Sequence, residues 1–370
     1  MRQALELAHR GRFTASPNPR VGCVIAQFDS PQSKPRIIGE GYHLRKGMPH
    51  AEREALSVCC EDPRGAVMYV TLEPCCHYGA TPPCTDAILE AGVRRVIAAV
   101  LDPFPAVSGM GIAILREKGV MADVGLLEEE ARYENRFFFH RHEKGLPWVV
   151  LKAAASLDGK LCTAPGNSRW ITGEAARAHV HEMRAEMDTI LVGIGTIEKD
   201  DPSLTARPEG ITRGEFNPPI RIVLDSTLRI RPQARLFQTI NEAPVWIFCL
   251  EIASAGKRRE LEQLGARIFV TPGKEGALDP AGVLSLLAQE NILSVYIEGG
   301  PRIHTSFLEA RLANELAIYI APKLIGGAGA PTFYEGRGAA TMKEAPLLRR
   351  IERRFLGDDV LIQGIVDWKE

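Results

Sequence analysis

His50-Ala51-Glu52 is followed along the chain by Pro74-Cys75 and then by Pro82-Pro83-Cys84. One imidazole and two thiolates are ligands that zinc favours. Three of them, rather than four, leave the last tetrahedral position open to water, as a catalytic site requires. The pattern predicts that one helix opens at His50 and another at Cys84, so the positive end of a helix dipole favours the ionised thiol. Glu52, two residues past the histidine, is placed to carry a proton from an attacking water to a leaving amine. The alternative is a structural zinc site or plain reduced thiols, for which Cys76 and His77 offer a fourth ligand. Adjacent residues reach one metal poorly, and Glu52 would then be idle. The catalytic reading is preferred.

A second group lies in the other half of the chain. Gly193-Ile194-Gly195-Thr196 and Glu298-Gly299-Gly300-Pro301 each follow an apolar run. Backbone amides between a strand and a helix can hold phosphate, although glycine there is often only a turn. No Gly-x-Gly-x-x-Gly follows the first strand of this half, so a Rossmann-type dinucleotide site is not supported. Arg184 and Arg207 could grip a dianion bidentately; a solvated helix face and a loop charge are the plainer alternatives. Lys152 sits inside an apolar strand pattern, and buried lysines are rare unless paired or used.

These residues need elements to position them. In the first half the pattern predicts a helix over Met1–Arg12, strands Val21–Ala26 and Ile37–Tyr42 around a hairpin at Gln27–Pro35, and a helix Ala51–Cys60. Strand Ala66–Leu72, helix Thr85–Ala91 and strand Val93–Leu101 follow. Such alternation argues an α/β fold. Phe137–Phe139 followed by the polar stretch His140–Pro147 reads as the boundary, dividing the chain into domains 1–145 and 146–370. Beyond it come strands Trp148–Ala154, Thr189–Gly193, Ile220–Leu224, Val245–Leu250, Arg267–Val270, Ser294–Glu298, Leu316–Ala321 and Val360–Val366. Helices are expected over Glu174–Met187, Lys257–Leu264, Pro280–Gln289 and Ile303–Glu309. Two α/β domains result, with no internal repeat.

Composition narrows the function classes. The 370 residues carry 45 Lys+Arg against 46 Asp+Glu, a net charge of −1, which lacks the cationic excess of a nucleic-acid binder. No apolar run approaches the ~18–20 residues that span a bilayer. Met1–Arg12 interleaves Arg2, Glu6, His9 and Arg10 with its apolar residues and has no signal-peptide core. Eight cysteines are too few for a disulfide scaffold. A cytoplasmic location is expected, and Cys23, Cys59, Cys60, Cys162 and Cys249 read as small buried hydrophobes.

His-x-Glu with a later Pro-Cys is the signature of zinc deaminases, whose commoner form spaces its cysteines two residues apart; here eight residues separate Cys75 from Cys84. Pro17-Asn18-Pro19-Arg20-Val21-Gly22, Gly39-Glu40-Gly41-Tyr42-His43 and Thr71-Leu72-Glu73-Pro74-Cys75 closely resemble the riboflavin-biosynthesis deaminase family. Its bifunctional members fuse that deaminase to a reductase. Lys152 to Lys160, Ser168 to Thr172 and Asp200-Asp201-Pro202-Ser203-Leu204-Thr205 resemble the reductase part. The resemblance spans essentially the whole chain. It implies a cytidine-deaminase-like α/β/α sandwich holding one zinc, then a dihydrofolate-reductase-like domain using NADPH.

By the same resemblance, Asn18 and His43 line the pyrimidine pocket. Ala154, Trp170, Thr196, Asp200, Ser226 and the Gly300 loop meet the cofactor; Ser168, Arg184, Leu204, Arg207 and Glu298 meet the substrate. The substrate is a pyrimidine ribosyl phosphate, and a homo-oligomer is expected, with no nucleic-acid or membrane partner. Three positions depart from the family pattern. Ala80 stands where Arg or Lys is expected, Phe104 where Asn is, and Cys76 where Ser is usual. The first two fall near the expected ribose-phosphate end of the deaminase pocket. A reductase-only enzyme with an impaired deaminase is therefore the runner-up. An RNA-binding zinc module and a zinc-stabilised interaction protein are further alternatives; aromatic residues at 6% and balanced charge oppose the former. Lys152 or Asp200 could assist proton transfer in the reduction.

Overall fold

The computed structural model describes residues 1–30, 34–79, 82–105, 107–274 and 276–368. The chain forms two compact units, Met1–Gly145 and Leu146–Glu370. No helix of the described residues is long and apolar enough to cross a membrane.

The first unit opens with α1 (Arg2–Arg10) and a short 3-10 turn at Gly11–Phe13. Then come β1 (Gly22–Gln27), β2 (Arg36–Tyr42), α2 (Ala51–Ser57), β3 (Val67–Val70), α3 (Cys84–Glu90) and β4 (Arg95–Ala98). The unit closes with α4 (Met110–Glu117), β5 (Met121–Val124), α5 (Glu128–Glu134) and α6 (Arg136–Lys144). Its sheet runs β2-β1-β3-β4-β5. β1 is antiparallel to β2 and β3, whereas β3, β4 and β5 are parallel. Cys23, Ile25, Met68, Val70, Val96, Ile88 and Leu115 form the buried core.

Two glycines show why the first half carries glycine in its strands. A Cβ at Gly22 would lie 1.9 Å from the Ala4 carbonyl oxygen, and one at Gly41 would lie 2.4 Å from the Ala55 nitrogen. Close docking of α1 on β1, and of α2 on β2, demands a bare backbone there. The second contact seats the helix that begins at His50.

Several sequence expectations need adjustment. The polar stretch His140–Pro147 is mostly not loop: α6 runs to Lys144 and ends at Gly145 with φ 75°, the left-handed stop glycine supplies. Phe137 and Phe139 are buried on this helix. Strand Val93–Leu101 contracts to β4, helix Ala51–Cys60 stops at Ser57, and α4, β5 and α5 had no counterpart in the pattern reading. Cys60 is exposed and Cys59 half-buried, so only Cys23, Cys162 and Cys249 are buried hydrophobes. Of the hairpin expected over Gln27–Pro35, residues 31–33 lie outside the described residues.

The second unit begins with β6 (Trp148–Ser156), α7 (Glu174–Glu186), β7 (Thr189–Gly193), α8 (Ile194–Asp200), β8 (Ile220–Leu224), α9 (Arg235–Gln238) and β9 (Val245–Leu250). It continues with α10 (Ala255–Gln263), β10 (Arg267–Thr271), the small pair β11 (Gly273–Lys274) and β12 (Ala277–Leu278), α11 (Pro280–Gln289) and β13 (Ser294–Ile297). The last elements are α12 (Pro301–Glu309), β14 (Glu315–Ala321), β15 (Leu347–Leu356) and β16 (Asp359–Asp367).

Nine strands form one sheet in the order β10-β9-β8-β7-β13-β6-β14-β16-β15. It is parallel from β10 to β14; β16 and β15 then add on antiparallel. Ile190 and Val192 face one apolar cluster while Leu191 faces the other, the period-2 signature of a strand covered on both sides. β13 returns between β6 and β7. Strand order reverses there, and open α/β sheets bind ligands beyond the carboxyl ends of strands at such a point.

Candidate active sites

In the first unit α2 and α3 bring the three expected ligands together. His50 is the N-cap of α2, and Cys84 is the first residue of α3. The His50 Nδ1 lies 3.4 Å from the Sγ of Cys75 and 3.4 Å from the Sγ of Cys84. The Cys84 amide donates to the Cys75 sulfur at 3.3 Å. All three ligand atoms lie within 4.8 Å of one another. A hydrogen bond from Cys84 and another from His50 hold the Cys75 thiol down at about 4, while that same sharing raises Cys84. A soft, small dication fits this donor set, since it would take both as thiolates.

Glu52 is 3% exposed, and burial, followed by the neighbouring Cys75 thiolate, lifts its carboxyl to about 7. A carboxyl so placed can both accept and return a proton near neutral pH. Asn18 and His43 stand beside the cluster. The His43 Nδ1 is 3.0 Å from the Pro49 carbonyl, and its Nε2 is 3.0 Å from the Asn18 Nδ2. A carbonyl accepts only, so Nδ1 carries the hydrogen and Nε2 accepts from the amide. Burial lowers the ring's pKa, and the ring packs edge-on with the His50 ring, centroids 5.4 Å apart. The Asn18 Oδ1 is thereby left as the acceptor of this side chain.

The sequence marks Glu73 only as part of a motif. It is 3% exposed and accepts from the amides of Asp102 (3.2 Å), Gly109 (2.8 Å) and Ile112 (3.2 Å). The residue two positions before Cys75 therefore ties that ligand's loop to the start of α4. An acidic residue directly after an apolar strand was the available signal. Phe104, on the tied loop, sets its ring edge-on to His142 of α6 at 5.9 Å. Ala80 lies outside the described residues.

In the second unit the expected residues gather at the carboxyl ends of the parallel strands. Ala154 shares the half-buried face of β6 with Lys152. Thr196 lies in the first turn of α8 and Asp200 at its end; Ser226 follows β8, and Gly300 precedes α12. Trp170 is 64% exposed, with the Arg177 guanidinium 4.7 Å above its ring, and its carbonyl accepts from Lys323 at 2.7 Å. Ser168 lies in the same segment, which the bond from Arg169 to the Asp200 carbonyl (2.7 Å) ties to the end of α8.

The N-terminus of α12 has no side-chain cap, and a Cβ at Gly300 or Gly195 would meet nothing within 4 Å. Bare backbone at two strand-to-helix turns, neither helix carrying a side-chain cap, fits a phosphate-bearing cofactor such as NADPH.

Arg184, expected to meet the substrate, also has partners within the chain. It is 13% exposed and pairs bidentately with Glu298, Nη2 to Oε2 at 2.8 Å, while Nη1 bonds the Thr205 carbonyl at 3.1 Å. Its charge is already met. Arg207 is the exposed one; it bonds the Thr205 hydroxyl at 2.6 Å and the His181 Nε2 at 3.2 Å. Leu204 is buried at φ 52°. Its segment is held from beneath by Arg221, wholly buried on β8, which donates to the Ser203 carbonyl at 3.0 Å. An arginine inside an apolar strand run was the overlooked signal.

Comparison with known proteins agrees with both halves. Residues 1–100 match the cytidine and deoxycytidylate deaminase zinc-binding region, and residues 147–362 match the RibD C-terminal domain. The riboflavin biosynthesis protein RibD of Bacillus amyloliquefaciens is 42% identical, over 99% of this chain and 95% of that protein. The structure of Acinetobacter baumannii RibD (form 1) superposes with TM-score 0.88 at 35% identity, covering 99% of this chain and 97% of that one. A Thermotoga maritima structure described as a diaminohydroxyphosphoribosylaminopyrimidine deaminase/5-amino-6-(5-phosphoribosylamino)uracil reductase gives TM-score 0.82 at 33% identity, again over 99% and 97%. The N-terminal unit is accordingly cytidine-deaminase-like and the C-terminal unit dihydrofolate-reductase-like. From end to end, the chain belongs to the RibD family of riboflavin biosynthesis proteins.

Proposed function

We propose that this chain catalyses two successive steps of riboflavin biosynthesis. Residues 1–145 hydrolytically deaminate 2,5-diamino-6-ribosylamino-4(3H)-pyrimidinone 5′-phosphate, and residues 146–370 reduce the ribosyl chain of the product to ribityl. The observation that carries the reading is the convergence of His50, Cys75 and Cys84 within 4.8 Å, with the buried Glu52 two residues from the histidine.

His50, Cys75 and Cys84 would hold zinc, which when bound supplies the Lewis acidity that makes water nucleophilic at neutral pH. Glu52 takes the proton from the attacking water and returns it to the leaving amine. The Asn18 carboxamide oxygen accepts from the pyrimidine, and neutral His43 holds that carboxamide in orientation.

Ala154, Trp170, Thr196, Asp200, Ser226 and Gly300 would hold NADPH, which when bound supplies the hydride. Ser168, Leu204 and Arg207 face the substrate, and the phosphate falls to Arg207 because Glu298 occupies Arg184. Lys152 is the better placed proton-transfer group. Its ammonium lies 5.8 Å from the centre of the Tyr319 ring, burial lowers its pKa, and Glu298 opposes that shift; a lysine so poised gives up a proton more readily than a solvated one.

Two coarser features complete the proposal. Among the described residues the outer edge of β15 has no strand beside it, and Phe355 on it is 81% exposed; such an edge supports a homo-oligomer. The eight cysteines are all free thiols, which supports a reducing, cytoplasmic setting.

Metal analysis joined to turnover tests the whole reading. The purified chain should carry one zinc, release ammonia from the diamino substrate without NADPH, and oxidise NADPH once the deaminated product is present. NADPH oxidation on pre-deaminated substrate with no ammonia release at any substrate concentration would leave only the reductase.

A further inference from the structure

The loop carrying Asn18 runs from the 3-10 turn at Gly11–Phe13 to β1. Pro17 and Pro19 flank Asn18 and remove two backbone donors, and the Asn18 amide bonds back to the Ala15 carbonyl at 2.9 Å. The junction of α5 and α6 holds the end of the loop next to Asn18. Asn135, 3% exposed, accepts from the Arg20 amide at its Oδ1 (2.7 Å) and donates from Nδ2 to the Arg20 carbonyl (2.8 Å). Its own backbone is used within the helices, N–H to Ala131 at 3.1 Å and carbonyl to Phe139 at 3.0 Å. The side chain is thus left for Arg20. The neighbours of Asn135 grip the Arg20 side chain as well: Glu134 accepts from its guanidinium at 3.2 Å, and the Phe137 ring lies 5.3 Å away.

We infer that Asn135 is a positioning residue of the deaminase pocket. Its paired bonds to the Arg20 backbone set where Asn18 stands, two residues earlier. Through the 3.0 Å bond from Asn18 to His43, they also set the acceptor that faces the pyrimidine. A carboxamide is required because it places one donor beside one acceptor; a carboxylate would turn an acceptor on the Arg20 carbonyl. Misplacing a substrate-orienting group by about an ångström is enough to cost binding or rate. The identity of the pocket's ligand rests on the proposed function, whereas the clamp itself rests on the Asn135–Arg20 bonds.

The test uses the full chain with Asn135→Ala and Asn135→Asp. Amide exchange over residues 15–22, zinc content, deamination kinetics and reduction of pre-deaminated substrate are measured together. Both variants should speed exchange at the Arg20 amide and raise KM for deamination about tenfold, with kcat within about threefold. Zinc stays at one per chain and reduction is unchanged. Asn135→Asp keeps size and acceptor but loses the donor, so a merely space-filling role would leave it like the wild type. Unchanged exchange over 15–22, or equal loss of zinc and kcat, would overturn the clamp. If exchange responds while the wild type releases no ammonia, the deaminase reading fails and the clamp stands.

Discussion

Arg184 and Glu298 form a bidentate ion pair across the reductase unit, Nη2 to Oε2 at 2.8 Å, with the two side chains 13% and 8% exposed. α7 carries the arginine, and the glutamate directly follows β13. The pair therefore fastens a helix to the sheet where strand order reverses. Breaking one partner strands a desolvated charge, which typically costs about 3–5 kcal/mol. Arg184→Ala should destabilise the C-terminal unit by roughly that amount, and Arg184→Met with Glu298→Leu by much less. All four tryptophans (148, 170, 246 and 368) lie in this unit, so tryptophan fluorescence during urea unfolding reads it selectively. A loss below ~1 kcal/mol for the single variant would mean that water reaches the pair.

Glu52 and the reductase residues sit in separate units, which makes their losses separable. Glu52→Gln should lower deamination by about 10²–10⁴-fold, the usual worth of a general acid–base, while zinc content stays at the wild-type level. Chelating the metal should abolish ammonia release too. Reduction of pre-deaminated substrate should survive both treatments. Ammonia release persisting within tenfold of wild type in Glu52→Gln would remove Glu52 from the proton path.

His304 provides a pH signature. It is 1% exposed on α12, and neither ring nitrogen has a hydrogen-bond partner among the described residues. Burial, with Lys152 nearby, lowers its pKa to about 4. His181 is likewise lowered to about 4 by burial and by Arg184 and Arg207. Between an ordinary value near 6.5 and about 4, the unfolded chain binds protons that the fold refuses. The stability due to keeping these rings neutral is complete above pH ~6.5 and falls as pH drops toward 4, by up to about 1.4 kcal/mol per pH unit for the buried His304 and by less for the solvent-screened His181. His304→Leu should remove one proton's share of that slope, read by urea unfolding at pH 6.5, 5.5 and 4.5. An unaltered slope would show that the folded protein protonates His304 normally.

How much of this could be read from residues alone follows from how locally each feature is encoded. The metal cluster was legible because ligand type, spacing and two helix starts lie within His50–Cys84. The parallel strands were legible because burial on both faces leaves long apolar runs. α6 was not, because Phe137 and Phe139 are buried while Phe138 turns to His142 at 4.4 Å, and three successive aromatics hide a 3.6-residue period. β15, with the sequence LLRRIERRFL, is an exposed edge with no buried face to impose alternation. Asn135 was invisible for another reason: its partner is 115 residues away. Arg184 was seen as a cation, but its neutralisation depends on Glu298, which only the return of β13 between β6 and β7 brings near.

Phe104 bears on whether the departure from the family pattern matters. Its ring is 46% exposed and packs on His142 at 5.9 Å, which in turn meets Phe138. The loop's course is fixed without that ring. Glu73 accepts from Asp102 and Gly109 on either side, and the Phe104 amide donates to the Asp102 carboxylate at 2.8 Å. Phe104→Asn should therefore cost the N-terminal unit only the aromatic contact, ~1 kcal/mol. It should leave zinc content intact and the KM for deamination within about threefold of wild type. A KM lowered tenfold or more would show that position 104 reaches the substrate and that the wild-type phenylalanine weakens a contact that asparagine restores. Equal KM values in the two proteins would place the ring's role on α6, against His142, with the deaminase unimpaired.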